Sequence, residues 1–352
     1  MKNRYIELER FVASCMILLL HLGISQGSWI FVEFFFLLTG CFTASHLEKK
    51  EKFIGDNTWY SLQYTWNKFL KIFPYAGLSI TWLWLIRLIA YELKGNEFVR
   101  WLLCLPTELM LLSGSGMVPK GLEISEGIYS PRLLNDHLWY ICCMLFVLPL
   151  VIYLLMGFKK TRAIILTFCP MLLYGLIVMK SGTITGWHDE NYAFLFCSMR
   201  ALAGLLLGGF AYYVSKWWQT HNFTCFAKIL LTIVELEGFV GVVVVSHLTS
   251  LSYDALFIVM LFLSISLSYA GVTYTTKLKF KCLDFLGAIS LPIYCLQMPV
   301  MATCHLVIGI YNPWIEFVLT ILLSVLVEVL FKLAGRCWKI CKPKITSWFV
   351  EI

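Results

Sequence analysis

The sequence predicts an all-α, polytopic integral membrane protein, and three observations carry that reading. Ten apolar runs reach the roughly 20 residues that a helix needs to cross a bilayer. Of 352 residues, 59% are hydrophobic and only 14% charged, with mean hydropathy +0.77; soluble domains carry about a quarter charged residues. The Lys and Arg that remain lie mostly on one side of the runs, the bias that orients chains in membranes.

The runs occupy residues 5 to 24, 28 to 47, 70 to 91, 135 to 156, 162 to 180, 192 to 214, 226 to 247, 253 to 273, 283 to 306 and 313 to 335. A shorter stretch, "EFVRWLLCLPTELMLL" at 97 to 112, carries Arg100, Pro106 and Glu108 and is not counted as a span. With ten spans, 20 Lys or Arg fall on one side and five on the other (Lys94, Arg100, Lys120, Arg132, Lys180), while Arg10, Arg87 and Arg200 lie within spans. An eleventh span would send "FKKTR" at 158 to 162 to the opposite face and scatter the basic loops. Both termini are therefore expected in the cytoplasm, with residues 92 to 134 as one extracytoplasmic segment holding a re-entrant or interfacial helix. Residues 1 to 352 read as a single transmembrane domain in the cytoplasmic membrane, in contact with lipid.

Glu7, Glu9 and Arg10 crowd the front of the first run, and no small-x-small cleavage pattern follows it, so it reads as an uncleaved helix. The net charge of +7 is then an inner-face anchor, and no nucleic acid partner is expected. Most of the 13 Cys sit in apolar runs, where a free thiol acts as a small hydrophobe. Neither a disulfide framework nor a metal site is expected.

Within this frame a few polar residues stand out. In "RFVASCMILLLH", Arg10 and His21 are separated by about three helical turns, which puts them on one face roughly 16 Å apart. Spacing alone fits two readings: an Arg snorkelling to headgroups with an interfacial His, or a functional pair. Glu33 in "VEFFFLLTG" descends in the second run to the depth of His21, so a carboxylate–imidazole contact is expected there, making either a buried base or helix-joining glue. Lys68 and Lys71, one turn apart in "WNKFLKIFP", could hold phosphates of a cytosolic ligand or serve as ordinary inner-face anchors. Arg200 lies deep in the sixth run and needs an acidic partner; Glu235 and Glu237 are the candidates. Gly204 and Gly208 form a small-residue face suited to helix packing. His137 and Trp139 open the fourth run from the outer side, where Trp is also an interfacial anchor.

The Arg-x10-His pair, "VEFFFLLTGCF" and "KFLKIFP" resemble the first three helices of acyltransferase family 3 membrane proteins. "HLWYI" at 137 to 141, "RALAGLLLGGF" at 200 to 210 and "LDFLGAISLPIYCLQMPV" at 283 to 300 agree in order. The resemblance implies an O-acyltransferase that takes an acyl group, most often acetyl from acetyl-CoA, to a hydroxyl of a cell-surface polysaccharide or lipid-linked glycan. It implies Arg10 and His21 as the essential pair, Glu33 as the family's acidic position, and Lys68 and Lys71 as the twin-basic motif. From its depth alone Arg200 fits either a donor contact or a structural pair, and His137 and Trp139 fit either acceptor contacts or the boundary of their span. Acetyl-CoA is then a co-substrate, and no permanently bound cofactor is implied. The sequence departs from the family in having Lys at both twin-basic positions, which keeps the charge but loses the guanidinium fork. Gln297 also stands where His is frequent. With no fused extracytoplasmic hydrolase-like domain in view, transfer is expected to finish within the membrane or through a separate partner. The competing class is a multispan transporter or flippase of a glycan or acyl intermediate, with Arg10, His21, Glu33 and Arg200 along a proton or substrate path; no internal symmetry supports it. An inactive scaffold for glycan export is the third reading.

Overall fold

The computed structural model describes residues 3–50, 56–90, 94–112, 136–158, 160–184, 193–249 and 253–350. Within the described residues every regular element is helical: α1 (Arg4–His21), α2 (Phe31–Lys50), α3 (Asn57–Ala90), α4 (Gly95–Leu109), α5 (Trp139–Gly157), α6 (Arg162–Ser181), α7 (Ala193–Gln219), α8 (Cys225–Leu236), α9 (Val242–Leu248), α10 (Asp254–Ala270), α11 (Cys282–Thr303) and α12 (Pro313–Val350). A five-residue π turn, Glu237–Gly241, joins α8 and α9 into one rod.

Helix boundaries follow local chemistry. The Asn3 side chain accepts from the Tyr5 amide at 3.0 Å and starts α1, and Thr224 does the same for α8 through the Ala227 amide. Pro313 opens α12, where a missing N–H costs nothing, and Asn312 accepts from the amides of Trp314 and Ile315. Gly182 and Gly271, with φ of 75° and 69°, end α6 and α10 in the left-handed conformation that glycine takes without strain.

Eight of the rods are long and apolar enough to cross a membrane. α1 and α10 pack among them at the positions of the first and eighth sequence runs. α10 is 17 residues long, and α1 carries four charges besides its apolar face, yet its acids and Arg10 find partners inside the bundle. α4, at 15 residues or about 22 Å, is too short to cross. It is tied to α3 by two indole bonds, Trp84 Nε1–H to the Trp101 carbonyl at 3.1 Å and Trp101 Nε1–H to the Trp84 carbonyl at 3.4 Å. The rest of the expected outer segment, residues 113 to 135 with Lys120 and Arg132, lies outside the described residues.

α2 is the central helix, with 78% of its apolar stretch buried against 17% for α6 and 22% for α12. Its closest neighbour is α7. A Cβ at Gly40 would overlap the Leu205 backbone, and one at Gly208 would overlap the Leu37 backbone. With Gly204 against Phe36, these glycines let two backbones approach as small residues do between membrane helices. The starts of α1 and α11 meet the ends of α2, α7 and α10 at one pole of the bundle, which also carries Lys49, Lys68, Lys71 and Lys216. This is the basic pole. His21, Glu33, His137 and Arg200 lie toward the other.

Candidate active site

α1 delivers His21 at its last residue, and Gly23, with φ 72°, lets the chain turn away immediately after it. The imidazole meets Gln297 of α11, with Nδ1 3.1 Å from Oε1. The amide's orientation is set from behind, because Gln297 Nε2 donates to the Tyr294 carbonyl at 3.0 Å. Oε1 can only accept, so His21 carries its proton on Nδ1 and keeps the lone pair on Nε2. Among the described residues no protein group occupies that nitrogen. A neutral imidazole held in one tautomer with its far nitrogen open has the form of a general base.

A second imidazole stands beside it. The His137 ring lies 6.2 Å from that of His21, edge to face, and the residue is buried. Pro299 accounts for its placement. A proline has no N–H, so the carbonyl four residues earlier, Cys295, loses its helical donor. Two side chains replace it: His137 Nε2–H at 3.3 Å, from the single 3-10 turn Asp136–Leu138 that leads into α5, and the Ser79 hydroxyl from α3. The Tyr294 hydroxyl also donates to the His137 backbone carbonyl. With Nε2 committed, Nδ1 of His137 holds the lone pair, and that buried atom has no partner among the described residues.

Glu33 does not join this cluster, and here the structure departs from the sequence-based expectation. Its Oε1 accepts from Arg200 Nε and Nη2, both at 2.8 Å, and its Oε2 accepts from the Tyr174 hydroxyl at 2.6 Å. The glycine contacts of α2 and α7 turn Glu33 toward Arg200, and both its oxygens are then occupied. Glu235, offered by the sequence as a partner for Arg200, is instead held at the basic pole by the hydroxyls of Ser268 and Thr275. The Arg200 guanidinium lies 5.0 Å from the centre of the Trp139 ring. α5 and the turn that leads into it therefore serve two clusters, presenting His137 to α1 and α11, and Trp139 to α2 and α7.

At the basic pole, Arg10 donates to Glu7 Oε2 at 2.8 Å, and the Glu7 carboxylate fills the space left by the absent side chain of Gly287 on α11. Lys68 is half-buried within electrostatic range of Arg10 and Lys71. Lys71 is exposed and, with Lys49 and Lys50, lies within electrostatic range of His46. The structure thus gathers Arg10 and Lys68 at one pole, His21 and His137 toward the other, and Glu33, Arg200 and Trp139 in a neighbouring cluster. Sequence reasoning set Gln297 aside and did not single out Ser79, Tyr174 or Pro299. A proline four residues after Cys295 in an apolar helix was the available signal of a carbonyl in need of donors.

No curated protein and no solved structure matched the chain. A family model described as an acyltransferase domain, that of acyltransferase family 3, matches residues 3–333. With nearly its whole length inside that match, the chain belongs to acyltransferase family 3 and is a multipass membrane acyltransferase.

Proposed function

We propose that the protein moves acetyl from acetyl-CoA to a hydroxyl of a cell-surface polysaccharide or lipid-linked glycan in the cytoplasmic membrane. The observation that carries this reading is the open Nε2 of His21, whose tautomer is set by Gln297 and whose ring lies 6.2 Å from that of His137.

In this mechanism the donor enters at the basic pole, where Lys68, Lys71 and their neighbours meet its phosphates and its acyl arm passes Arg10. The acceptor hydroxyl arrives from the opposite face and meets the open Nε2 of His21, with His137 and Trp139 on that side of the bundle. As the hydroxyl oxygen attacks the thioester carbon, His21 Nε2 takes its proton. The C–S bond then breaks, and the imidazolium returns that proton to the departing thiolate. The products are an O-acyl ester and a free thiol, and the protein ends in its starting protonation state. General-base assistance of this kind contributes ~100- to 10,000-fold. Glu33 and Arg200 brace α2 against α7 so that α5 keeps its position at the site.

The test supplies purified protein with radiolabelled acetyl-CoA and a lipid-linked oligosaccharide. Labelled ester is expected from wild type, and His21→Ala is expected to lose ~100-fold or more of the rate while inserting normally. Equal acetylation by the variant would remove His21 from the mechanism. Glycan movement across vesicles without any labelled ester would assign the protein to transport.

A further inference from the structure

Two carboxylates lie buried together where α1, α8 and α10 meet, outside the site described above. Glu9, on α1, is 0% exposed, and its Oε1 accepts from the Ser264 hydroxyl of α10 at 2.8 Å. Glu235, the last residue but one of α8, is also 0% exposed. Its two oxygens lie 2.9 and 3.0 Å from the Thr275 hydroxyl, in the 3-10 turn Tyr274–Lys277, and Oε1 also accepts from the Ser268 hydroxyl of α10 at 2.5 Å. The π turn after Glu235 explains the approach of α8 to α10: a Cβ at Gly238 would come within 2.8 Å of the Met260 carbonyl. The two acids lie within electrostatic range of each other.

Their charges are unbalanced. Among the described residues neither carboxylate has an ion pair, and nearby cations are held elsewhere: Arg4 by Asp284 and the Lys279 carbonyl, Arg10 by Glu7, and Lys277 over the Tyr274 ring. Two buried atoms are also left over. Glu9 Oε2 and the hydroxyl of Tyr5, a residue 5% exposed, have no hydrogen-bond partner among the described residues. Tyr5 stands one helical turn before Glu9 on the same face of α1, and its hydroxyl lies within electrostatic range of both carboxylates. Buried polar atoms are nearly always satisfied, so an orphaned carboxylate oxygen and an orphaned hydroxyl beside one acidic pair mark the place of a further group.

A proton does not meet that need. On Glu9 Oε2 it would exchange an acceptor without a donor for a donor without an acceptor, and Tyr5 would stay unserved. Glu235 takes hydroxyl donors on both oxygens, the pattern of an ionised carboxylate. A cation answers both, since a hydroxyl that donates its hydrogen keeps lone pairs for a metal. Every atom on offer is an oxygen, which selects a hard ion. Only one carboxylate oxygen is open, and no group of three His, Cys, Asp or Glu side chains suited to a metal occurs among the described residues. Magnesium keeps several waters and calcium takes about six to eight oxygens, so both fit a dry place with one open carboxylate oxygen poorly.

We propose that Glu9 and Tyr5 of α1, with the hydroxyls that α10 and the following turn bring to Glu235, bind an alkali cation. The inference goes beyond the transfer chemistry and does not depend on it. The ion ties the start of α1, the helix that ends in His21, to α8 and α10.

The test uses the full chain in nanodiscs of zwitterionic lipid, with thermal unfolding followed in sodium, potassium or N-methylglucamine chloride at equal ionic strength. In wild type, sodium or potassium should raise the melting temperature saturably over N-methylglucamine, on the order of 5 °C at a hundred times the dissociation constant. Glu9→Gln keeps the shape and should weaken the cation by about tenfold or more; Tyr5→Phe removes one oxygen and should weaken it by about two- to tenfold. Binding of radioactive sodium to wild type, displaced by unlabelled sodium and weaker in Tyr5→Phe, decides the matter even if Glu9→Gln does not insert. Absence of sodium binding together with melting that is the same in all three salts overturns the site. So does an equal cation shift in wild type and both variants, a response to magnesium or calcium alone, or a melting temperature that follows pH but not the alkali ion, which would assign the pair a shared proton.

Discussion

Gln297 of α11 accepts a hydrogen bond from His21 of α1 at 3.1 Å, and its own amide is locked by the Tyr294 carbonyl. An uncharged acceptor thereby does what a carboxylate was expected to do. It fixes the tautomer of the imidazole without adding a negative charge to the site, so only the reacting groups change charge during transfer.

Gln297→Leu is therefore expected to keep the fold and lose part of the general-base contribution. With no acceptor at Nδ1, the ring can place its proton on either nitrogen and rotate. The turnover number should fall by about tens-fold, a part of the ~100- to 10,000-fold that base assistance supplies, while the Michaelis constant for acetyl-CoA changes little. Steady-state kinetics on purified protein separates the two, and an unchanged turnover number would show that Gln297 is only a packing residue.

Pro299→Ala tests how His137 is held. The new backbone N–H can donate to the Cys295 carbonyl and compete with His137 and Ser79. Activity should fall, yet thermal stability in detergent should hold or rise, because a proline inside a helix normally costs about 3 kcal/mol. Loss of both together would mean that the proline is a packing element rather than the device that places the imidazole.

The spans were legible in the sequence because hydropathy and the sidedness of Lys and Arg report directly on the solvent. The polar partners were not, since they depend on which helices touch. Glu33 was matched by depth to His21 on the neighbouring helix in the chain, but Gly40, Gly204 and Gly208 bring α2 closest to α7 and so deliver Glu33 to Arg200. The glycine face was visible; its consequence for the carboxylate needed the packing. Gln297 was visible too, but family habit favoured His at that position and concealed its role.

The Glu33–Arg200 pair is buried on both sides, with 0% and 3% exposure. Removing one partner leaves an uncompensated charge. Arg200→Leu or Glu33→Leu alone should destabilise the protein by about 3–5 kcal/mol, while the double leucine variant should recover much of that loss. Thermal unfolding of the four proteins in detergent reads the coupling directly. Equal destabilisation by the double variant and the sum of the singles would show that the two side chains act independently.

Lys68 and Lys71 separate two roles for positive charge on α3. If they meet the donor's phosphates, changing both to Gln should raise the Michaelis constant for acetyl-CoA and make it less sensitive to salt, because each lost contact removes a screened attraction. The half-buried Lys68, near Arg10, should account for more of the effect than the exposed Lys71. Arg at both positions should retain or improve donor affinity, since a guanidinium grips phosphate with two parallel N–H bonds where an ammonium offers a point charge. As simple inner-face anchors the lysines would behave otherwise: the Gln protein, once inserted, would titrate with acetyl-CoA like wild type at every salt concentration. That result would remove both residues from the donor path and leave the His21 chemistry unaffected.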